Sequence, residues 1–285
     1  NRVWDLYSLV DILTVAKGHK HPLGESKQFA KRYLKNQNAL EIRHAQRADF
    51  RAHIRRYIAR TRRADAKLPF PRREVKLHRV PASKNEQKLL RLLGRHLDRL
   101  EALQQVSLAK ALMSSPEALV AELGNAVHKA PYLGECLIAA QEIVAVGLPS
   151  AKTLRLGVIL EELRLARPED FRLVIFTQRK ETQRVIGEFL EKQGISHGFI
   201  RGGSVPKNRE AIERFTRNPP DAHVLVSTDA GAEGVNLQAA NVLVNYDLPW
   251  NPMVMEQRIG RIQRLGSKYG VVTIVNLVVA DSVEE

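Results

Sequence analysis

Beyond residue 150 the chain alternates short, almost continuously apolar runs with helical periods, and few folds accept that pattern. Leu173-Val174-Ile175-Phe176, Gly198-Phe199-Ile200 and residues 223–227, 242–246 and 271–279 read as strands. Residues 153–165, 180–193, 207–217 and 252–264 read as the helices between them. A strand that is apolar at every position is covered on both faces, so the pattern predicts an α/β fold, a parallel sheet flanked by helices. Ligands of such sheets sit at the carboxyl ends of the strands, in the loops that follow.

Residues 1–150 lack this rhythm and read as mostly helical. An apolar first helix leads into a loop over 17–28, then basic helices over 28–66, broken at Leu68-Pro69-Phe70-Pro71. Residues 75–80 alternate like a short strand. From Lys84, a one-sided stripe of Leu89, Leu93, Leu97, Leu100 and Leu103 predicts a helix. Pro116 after two serines starts another, and Gly147 and Pro149 close the helical stretch. Asn1 is not a methionine and Glu285 follows directly on a strand, so the chain reads as a piece of a longer protein without a signal peptide. No run approaches eighteen apolar residues, which argues against a membrane span. The single Cys136 excludes a disulfide framework and fits a reducing compartment.

Charge is distributed unevenly. The chain holds 45 Lys+Arg against 31 Asp+Glu, a net +14. Residues 17–100 hold 24 against 7, a net +17, and the remainder is slightly acidic. The densest part includes Arg55, Arg56, Arg60, Arg62, Arg63, Lys67, Arg72 and Arg73, with few aromatics for base stacking. Phosphate contact is the functional reading and a solvated helix face the bland one.

Two clusters carry chemistry. Ser227-Thr228-Asp229-Ala230-Gly231-Ala232-Glu233-Gly234-Val235-Asn236 follows a strand, and its glycines let backbone approach a ligand or simply make a tight turn. In Glu256-Gln257-Arg258-Ile259-Gly260-Arg261-Ile262-Gln263-Arg264, helical spacing predicts Gln257, Arg261 and Arg264 on one face and Arg258 about 100° away. Guanidinium groups so presented suit a phosphoryl group arriving from another surface. His19 and His21 lack a second ligand pair and read as loop histidines, Cys136 reads as packing, and no metal site is expected.

The second cluster resembles the sixth motif of superfamily-two helicase-type ATPases, the first their fifth motif, and Ile175-Phe176-Thr177-Gln178 their fourth. Tyr246-Asp247-Leu248-Pro249-Trp250-Asn251-Pro252 and the opening Asn1-Arg2-Val3-Trp4-Asp5-Leu6-Tyr7 narrow the resemblance to the Swi/Snf-type DNA translocases. Ala59-Arg60-Thr61-Arg62 is similar to that family's arginine-rich stretch between lobes. Eukaryotic remodellers usually have histidine where Gln263 stands and aspartate where Gly260 stands. This pattern is closer to bacterial members such as the RNA-polymerase-recycling and phage-defence translocases.

The resemblance implies a RecA-like second motor lobe over 151–285. It makes residues 1–68 the tail of the first lobe with a basic helical segment, and 69–150 an inter-lobe linker and helical region. It implies that Arg261 and Arg264 are arginine fingers beside Gln257, that Gly234, Asn236 and Glu233 face the nucleotide, and that Gln178, Arg201, Gly202 and Thr228 follow a DNA backbone, joined by Arg55, Arg56, Arg62 and Arg63. ATP and magnesium are held mainly by the other lobe, since this chain has no G-x-x-x-x-G-K-[ST] loop. The chain alone is therefore expected to be inactive. Expected partners are double-stranded DNA, the N-terminal motor lobe and a protein such as RNA polymerase or a defence-system subunit, in a bacterial cytoplasm and away from membranes. The alternatives are a non-catalytic binding module with a helicase-like fold and an RNA helicase lobe.

Overall fold

The computed structural model describes residues 3–36, 40–58, 68–232 and 234–282. The chain divides into two compact units, Asn1–Leu68 and Pro69–Glu285.

The first unit contains α1 (Val3–Ala16), α2 (Ser26–Tyr33) and α3 (Arg47–Ile54). Its small core is aromatic: Tyr7, Phe29, Tyr33 and Phe50 pack with Val10, Leu34 and Ile54. His21 stacks on Tyr7, accepts the Leu23 N–H at Nδ1 and places Nε2 3.1 Å from the Tyr7 carbonyl. Both ring nitrogens are engaged in holding the loop.

The second unit is a six-stranded, wholly parallel sheet with helices on both faces, a RecA-like arrangement. In chain order it contains β1 (Arg72–Val80), α4 (Lys84–Gly94), α5 (Ala102–Ser114), α6 (Pro116–Ala126), α7 (Gly134–Val146), α8 (Ala151–Ala166), β2 (Leu173–Thr177) and α9 (Lys180–Lys192). It continues with β3 (His197–Ile200), α10 (Val205–Thr216), β4 (Val224–Thr228), β5 (Val242–Asn245), α11 (Pro252–Ile262) and β6 (Val271–Val279). The strand order is β1-β6-β5-β2-β4-β3. Two-sided burial explains the apolar runs. Leu173 and Ile175 pack under α8 and α9 with Leu156, Ile186 and Leu190. Val174 and Phe176 face the other way, against Phe215 of α10 and Ile259 and Ile262 of α11. Each such side chain removed from water contributes about 1.5–3 kcal/mol.

β1 pairs with β6 along nine residues, from Arg72↔Val271 to Val80↔Val279, and forms one edge of the sheet. Helices α4 to α7 build a third core from Leu89, Leu93, Leu108, Leu112, Leu119 and Leu123, into which Val279 also packs. The leucine stripe expected to form one helix is divided: α4 ends at Gly94, and Leu103 in α5 is 83% exposed. Serine caps set the helix starts. Ser83 and Glu86 form a reciprocal capping box for α4, and Ser115 and Ser150 accept from Ala118 N and Thr153 N. Within residues 131–166, one 18-residue stretch is apolar enough to cross a bilayer. Gly147, at φ 69°, divides these residues into α7 and α8, helices of 13 and 16 residues, each shorter than the roughly 20 a crossing needs.

Candidate nucleotide and nucleic-acid site

The loops that follow β2, β3, β4 and β5 meet at the carboxyl edge of the sheet, and α11 lies against them. One side chain joins α11 to two of these loops. Arg258, 3% exposed, donates from Nε to Asp229 Oδ1 (2.6 Å) and from Nη2 to Asp229 Oδ2 (2.8 Å). Its Nη1 donates to Asn245 Oδ1 (3.0 Å) and to the Asp247 carbonyl (2.8 Å). The planar guanidinium thus clamps α11 to the loops after β4 and β5, a geometry lysine cannot reproduce.

Asp247 continues the connection. Its buried Oδ2 accepts from Thr177 Oγ1 (2.6 Å), Gln178 N (2.8 Å) and Ser114 Oγ (2.8 Å). The loop after β2 and the end of α5 are therefore fixed to the loop after β5. Lys152, 1% exposed, donates to the Tyr246 carbonyl (2.9 Å) and lies 3.9 Å from Asp247 Oδ1, so the buried carboxylate has a buried counter-charge. The Tyr246 hydroxyl is bonded to Ser150 and Thr153, and burial raises the phenol well above its ordinary range.

The loop after β3 is held by Gln183, fully buried, which donates to the Ile200 and Val226 carbonyls (3.1 and 2.9 Å) and accepts from Arg201 Nε (2.8 Å). Asn208 brackets the Arg201 backbone from both sides. Gly231 packs directly against this turn: a Cβ there would lie 2.7 Å from Arg201 N and from the Ile200 carbonyl group. A Cβ at Gly202 would lie 3.2 Å from the Ala230 methyl, a looser contact. Gly231 thus has a packing reason within the fold, whereas Gly234 is needed for its φ of 76°.

Of the residues expected to act on a nucleotide, Gln257 and Arg261 line one recess of about 380 Å³, with Asp229, Ala230 and Val254 around it. Arg261 forms no ion pair among the described residues, unlike Arg258 one turn earlier. Arg264 is not on the expected helical face. α11 stops at Ile262, and Gln263 leaves the helix, buried, to donate to the Pro71 carbonyl (2.7 Å) and accept from Arg73 (3.0 Å). Arg264 follows that bend with Nε on the Gly260 carbonyl (3.3 Å). Gly234 and Asn236 lie outside the recess lining, and Asn236 Oδ1 accepts from Gln238 N (3.2 Å). Glu233 lies outside the described residues.

Gln178 is exposed and lines a different recess with Lys110, Arg179 and Trp250. There Lys110 sits over the Trp250 ring, 4.3 Å from its centre, and burial followed by the Arg179 charge lowers its pKa. Burial alone would raise Glu122, but hydrogen bonds from Ser107 and Arg179 and the guanidinium's charge outweigh it and hold this carboxyl below its usual value. Arg201 is exposed in a third recess with Lys207, Asn208 and Arg214. The Thr228 carbonyl accepts from Gly231 N and Ala232 N and forms the turn after β4. In the first unit, Arg55 and Arg56 are exposed just beyond α3. Arg62, Arg63 and the stretch 59–62 lie outside the described residues.

Sequence reasoning missed Arg258, Asp229, Asp247, Lys152 and Gln183 as the framework. The available signal was position, since Asp229 and Asp247 each follow an apolar strand end, where the fold places its functional loops. Among the described residues, no group of three His, Cys, Asp or Glu side chains could hold a metal ion. Cys136 is buried, and burial, then Glu135, pushes its thiol up.

Residues 155–266 match the helicase conserved C-terminal domain. A protein of Bacillus subtilis (strain 168) described as the uncharacterized ATP-dependent helicase YqhH is 31% identical over 294 residues, covering 100% of this chain and 50% of the relative. The RNA polymerase-associated protein RapA of Vibrio vulnificus (strain YJ016) is 37% identical over 116 residues, 40% of this chain and 12% of that protein. The chain therefore spans about half the length of the first relative and a small part of the second. The crystal structure of the Pyrococcus furiosus Hef helicase domain shares the fold, with a TM-score of 0.60 over 90% of this chain and 68% of that one, at 15% identity.

Proposed function

With this chain carrying the helicase C-terminal domain of a bacterial-type, Swi/Snf-like superfamily-two ATPase, we propose that it is the second motor lobe of an ATP-dependent translocase on double-stranded DNA. One contrast carries the proposal. Arg258 is neutralised inside the fold, whereas Arg261, one turn later, borders an open recess beside Gln257 with no ion-pair partner among the described residues. A guanidinium held in this way is placed for an anion from outside the fold, and cations on a transferring phosphoryl group stabilise its transition state.

In this reading the other motor lobe, outside this chain, binds ATP. Closure brings Arg261 onto the phosphates with Gln257 beside it and Arg264 as a second finger, while Gly234, Asn236 and Glu233 face the nucleotide. Magnesium neutralises phosphate charge when bound, and its ligands belong to the other lobe. Asp229, the carboxylate lining this recess among the described residues, is already paired with Arg258. Gln178, Arg201, Gly202 and Thr228 hold the DNA backbone, with Arg55, Arg56, Arg62 and Arg63 adding phosphate affinity, and reopening after hydrolysis shifts these contacts along the duplex. The clamp through Arg258 and Asp247 links the two faces, since it connects the finger helix to the backbone amide of Gln178. A protein partner such as RNA polymerase or a defence-system subunit, and a bacterial cytoplasmic setting, complete the reading.

The test is ATP turnover by the full-length protein with duplex DNA or RNA added, beside the 285-residue chain alone. Duplex-stimulated turnover by the full protein and none by the chain is expected. Stimulation by RNA alone would favour an RNA helicase lobe, and no turnover under any condition would favour a non-catalytic module.

A further inference from the structure

Helix α4 presents a cationic row that the motor motifs leave unused. Lys84, Lys88, Arg91 and Arg95 stand at i, i+4, i+7 and i+11, within an arc of about 60° and along about 16 Å of helix. All four are exposed. Leu89 and Leu93 anchor the opposite side of the helix, 1% and 3% exposed, so the row cannot turn inward.

Four other exposed arginines in this unit are matched by an acid one turn away: Arg164 with Glu161, Arg184 with Glu188, Arg209 with Glu213, and Arg217 with Asp221, whereas Arg99, Arg167 and Arg201 lie over aromatic rings. The α4 row has no such match among the described residues. Glu86 is buried, and its carboxylate accepts from Ser83 N (2.7 Å) in the capping box. Among the described residues, Asp98 and Glu135 form no ion pair with the row, although Glu135 and Arg95 both act on the buried Cys136 thiol. Four unneutralised cations on one face repel one another, and a solvated helix face usually intersperses both signs. By connectivity α4 starts where β1 ends, at the carboxyl edge of the sheet, the edge that also carries Gln178 and Arg201.

We propose that Lys84, Lys88, Arg91 and Arg95 form an additional contact surface for the phosphate backbone of duplex DNA, extending the track to the β1 side of the sheet. This rests on the DNA reading given above. Charge complementarity favours a polyanion, and the absence of an exposed aromatic among the four positions favours backbone contact over stacking on bases. The surface would be blind to sequence and would lengthen the hold on the track while the other contacts shift.

The test compares the 285-residue chain with two variants, measuring affinity for a duplex DNA probe against salt. One variant carries Lys84→Gln, Lys88→Gln, Arg91→Gln and Arg95→Gln. The other carries Arg91→Lys and Arg95→Lys, which keeps the charge. Each phosphate that is no longer neutralised reduces the slope of log K against log salt by about 0.9, so the glutamine variant should be shallower by about 2–4, and at least tenfold weaker at low salt. The lysine variant should keep the wild-type slope. An unchanged slope in the glutamine variant, with the wild-type chain still binding DNA, overturns the surface and leaves the motor reading intact. No duplex binding by the wild-type chain would sink the DNA reading itself. A glutamine variant that keeps its DNA slope but binds a poly-glutamate peptide more weakly would reassign the row to an acidic protein partner.

Discussion

Replacing Arg258 with methionine removes the guanidinium that joins α11 to the loops after β4 and β5. Its four bonds, at 2.6–3.0 Å, end on Asp229, Asn245 and the Asp247 carbonyl, and its side chain is 2% exposed. Methionine fills most of the volume and supplies no donor. Asn245, fully buried, and the Asp247 carbonyl are then left without this donor, at about 1 kcal/mol each. Asp229 loses its counter-charge, but its side chain is 35% exposed and regains water, which places the total at the low end of the 3–5 kcal/mol typical of a broken buried pair. The expected loss is about 3 kcal/mol, roughly a hundredfold in the folding equilibrium. Urea unfolding reads it through Trp250 in a Trp4→Phe background, since the chain has two tryptophans, one in each unit. With a slope near 2–3 kcal/mol per molar, the midpoint of the second unit should fall by about 1–1.5 M. Adding Asp229→Leu to the methionine variant should recover part of the loss, because no charge is then left unpaired. A methionine variant within about 0.5 kcal/mol of wild type would refute the clamp.

Two further perturbations follow from the same edge and from β1. Gly231→Ala places a methyl 2.7 Å from immovable backbone at Ile200 and Arg201; it should cost about 1–3 kcal/mol and weaken duplex binding, and wild-type behaviour in melting and binding assays would contradict the packing argument. His78 is held below its ordinary 6.5, first by burial and then by the Arg155 guanidinium, which donates to Nδ1 at 2.7 Å. A depressed folded value means that the unfolded chain binds more protons just below pH 6.5. The stability from neutral His78 is thus present above that pH and is lost as pH falls through the folded value. An NMR titration should place His78 below 6.5, and Arg155→Gln should raise it; a wild-type value at or above 6.5 would count against the contact.

The architecture was legible where local pattern and tertiary burial agree. Leu173 to Phe176 could only be a strand covered on both faces, and the serine before Pro116 was a cap because its oxygen reaches a free amide one turn on. What stayed hidden lies far apart in sequence. Arg258 and Asp229 are 29 residues apart, so nothing along α11 itself names the carboxylate that neutralises this arginine. β1 meets β6 about two hundred residues later, and nothing in its own alternation names that partner. The early end of α11 is equally non-local: Gln263 leaves the helix to bond Pro71 and Arg73, so Arg264 lies beyond the last helical turn. The leucines after Lys84 obey helical spacing, but α4 ends at Gly94 and Leu103 faces outward on the separate helix α5.

In this account the Arg261 guanidinium at the recess, without an ion-pair partner among the described residues, acts on a nucleotide held by another lobe, whereas the paired Arg258 next to it builds the fold. The most direct measurement is single-turnover ATP hydrolysis by the full-length protein carrying Arg261→Ala, with saturating duplex DNA, beside its duplex affinity and thermal stability. Hydrolysis should fall by about 10³-fold or more, with melting temperature and DNA affinity essentially unchanged. Wild-type hydrolysis in that variant, or a loss explained by unfolding, would contradict the account.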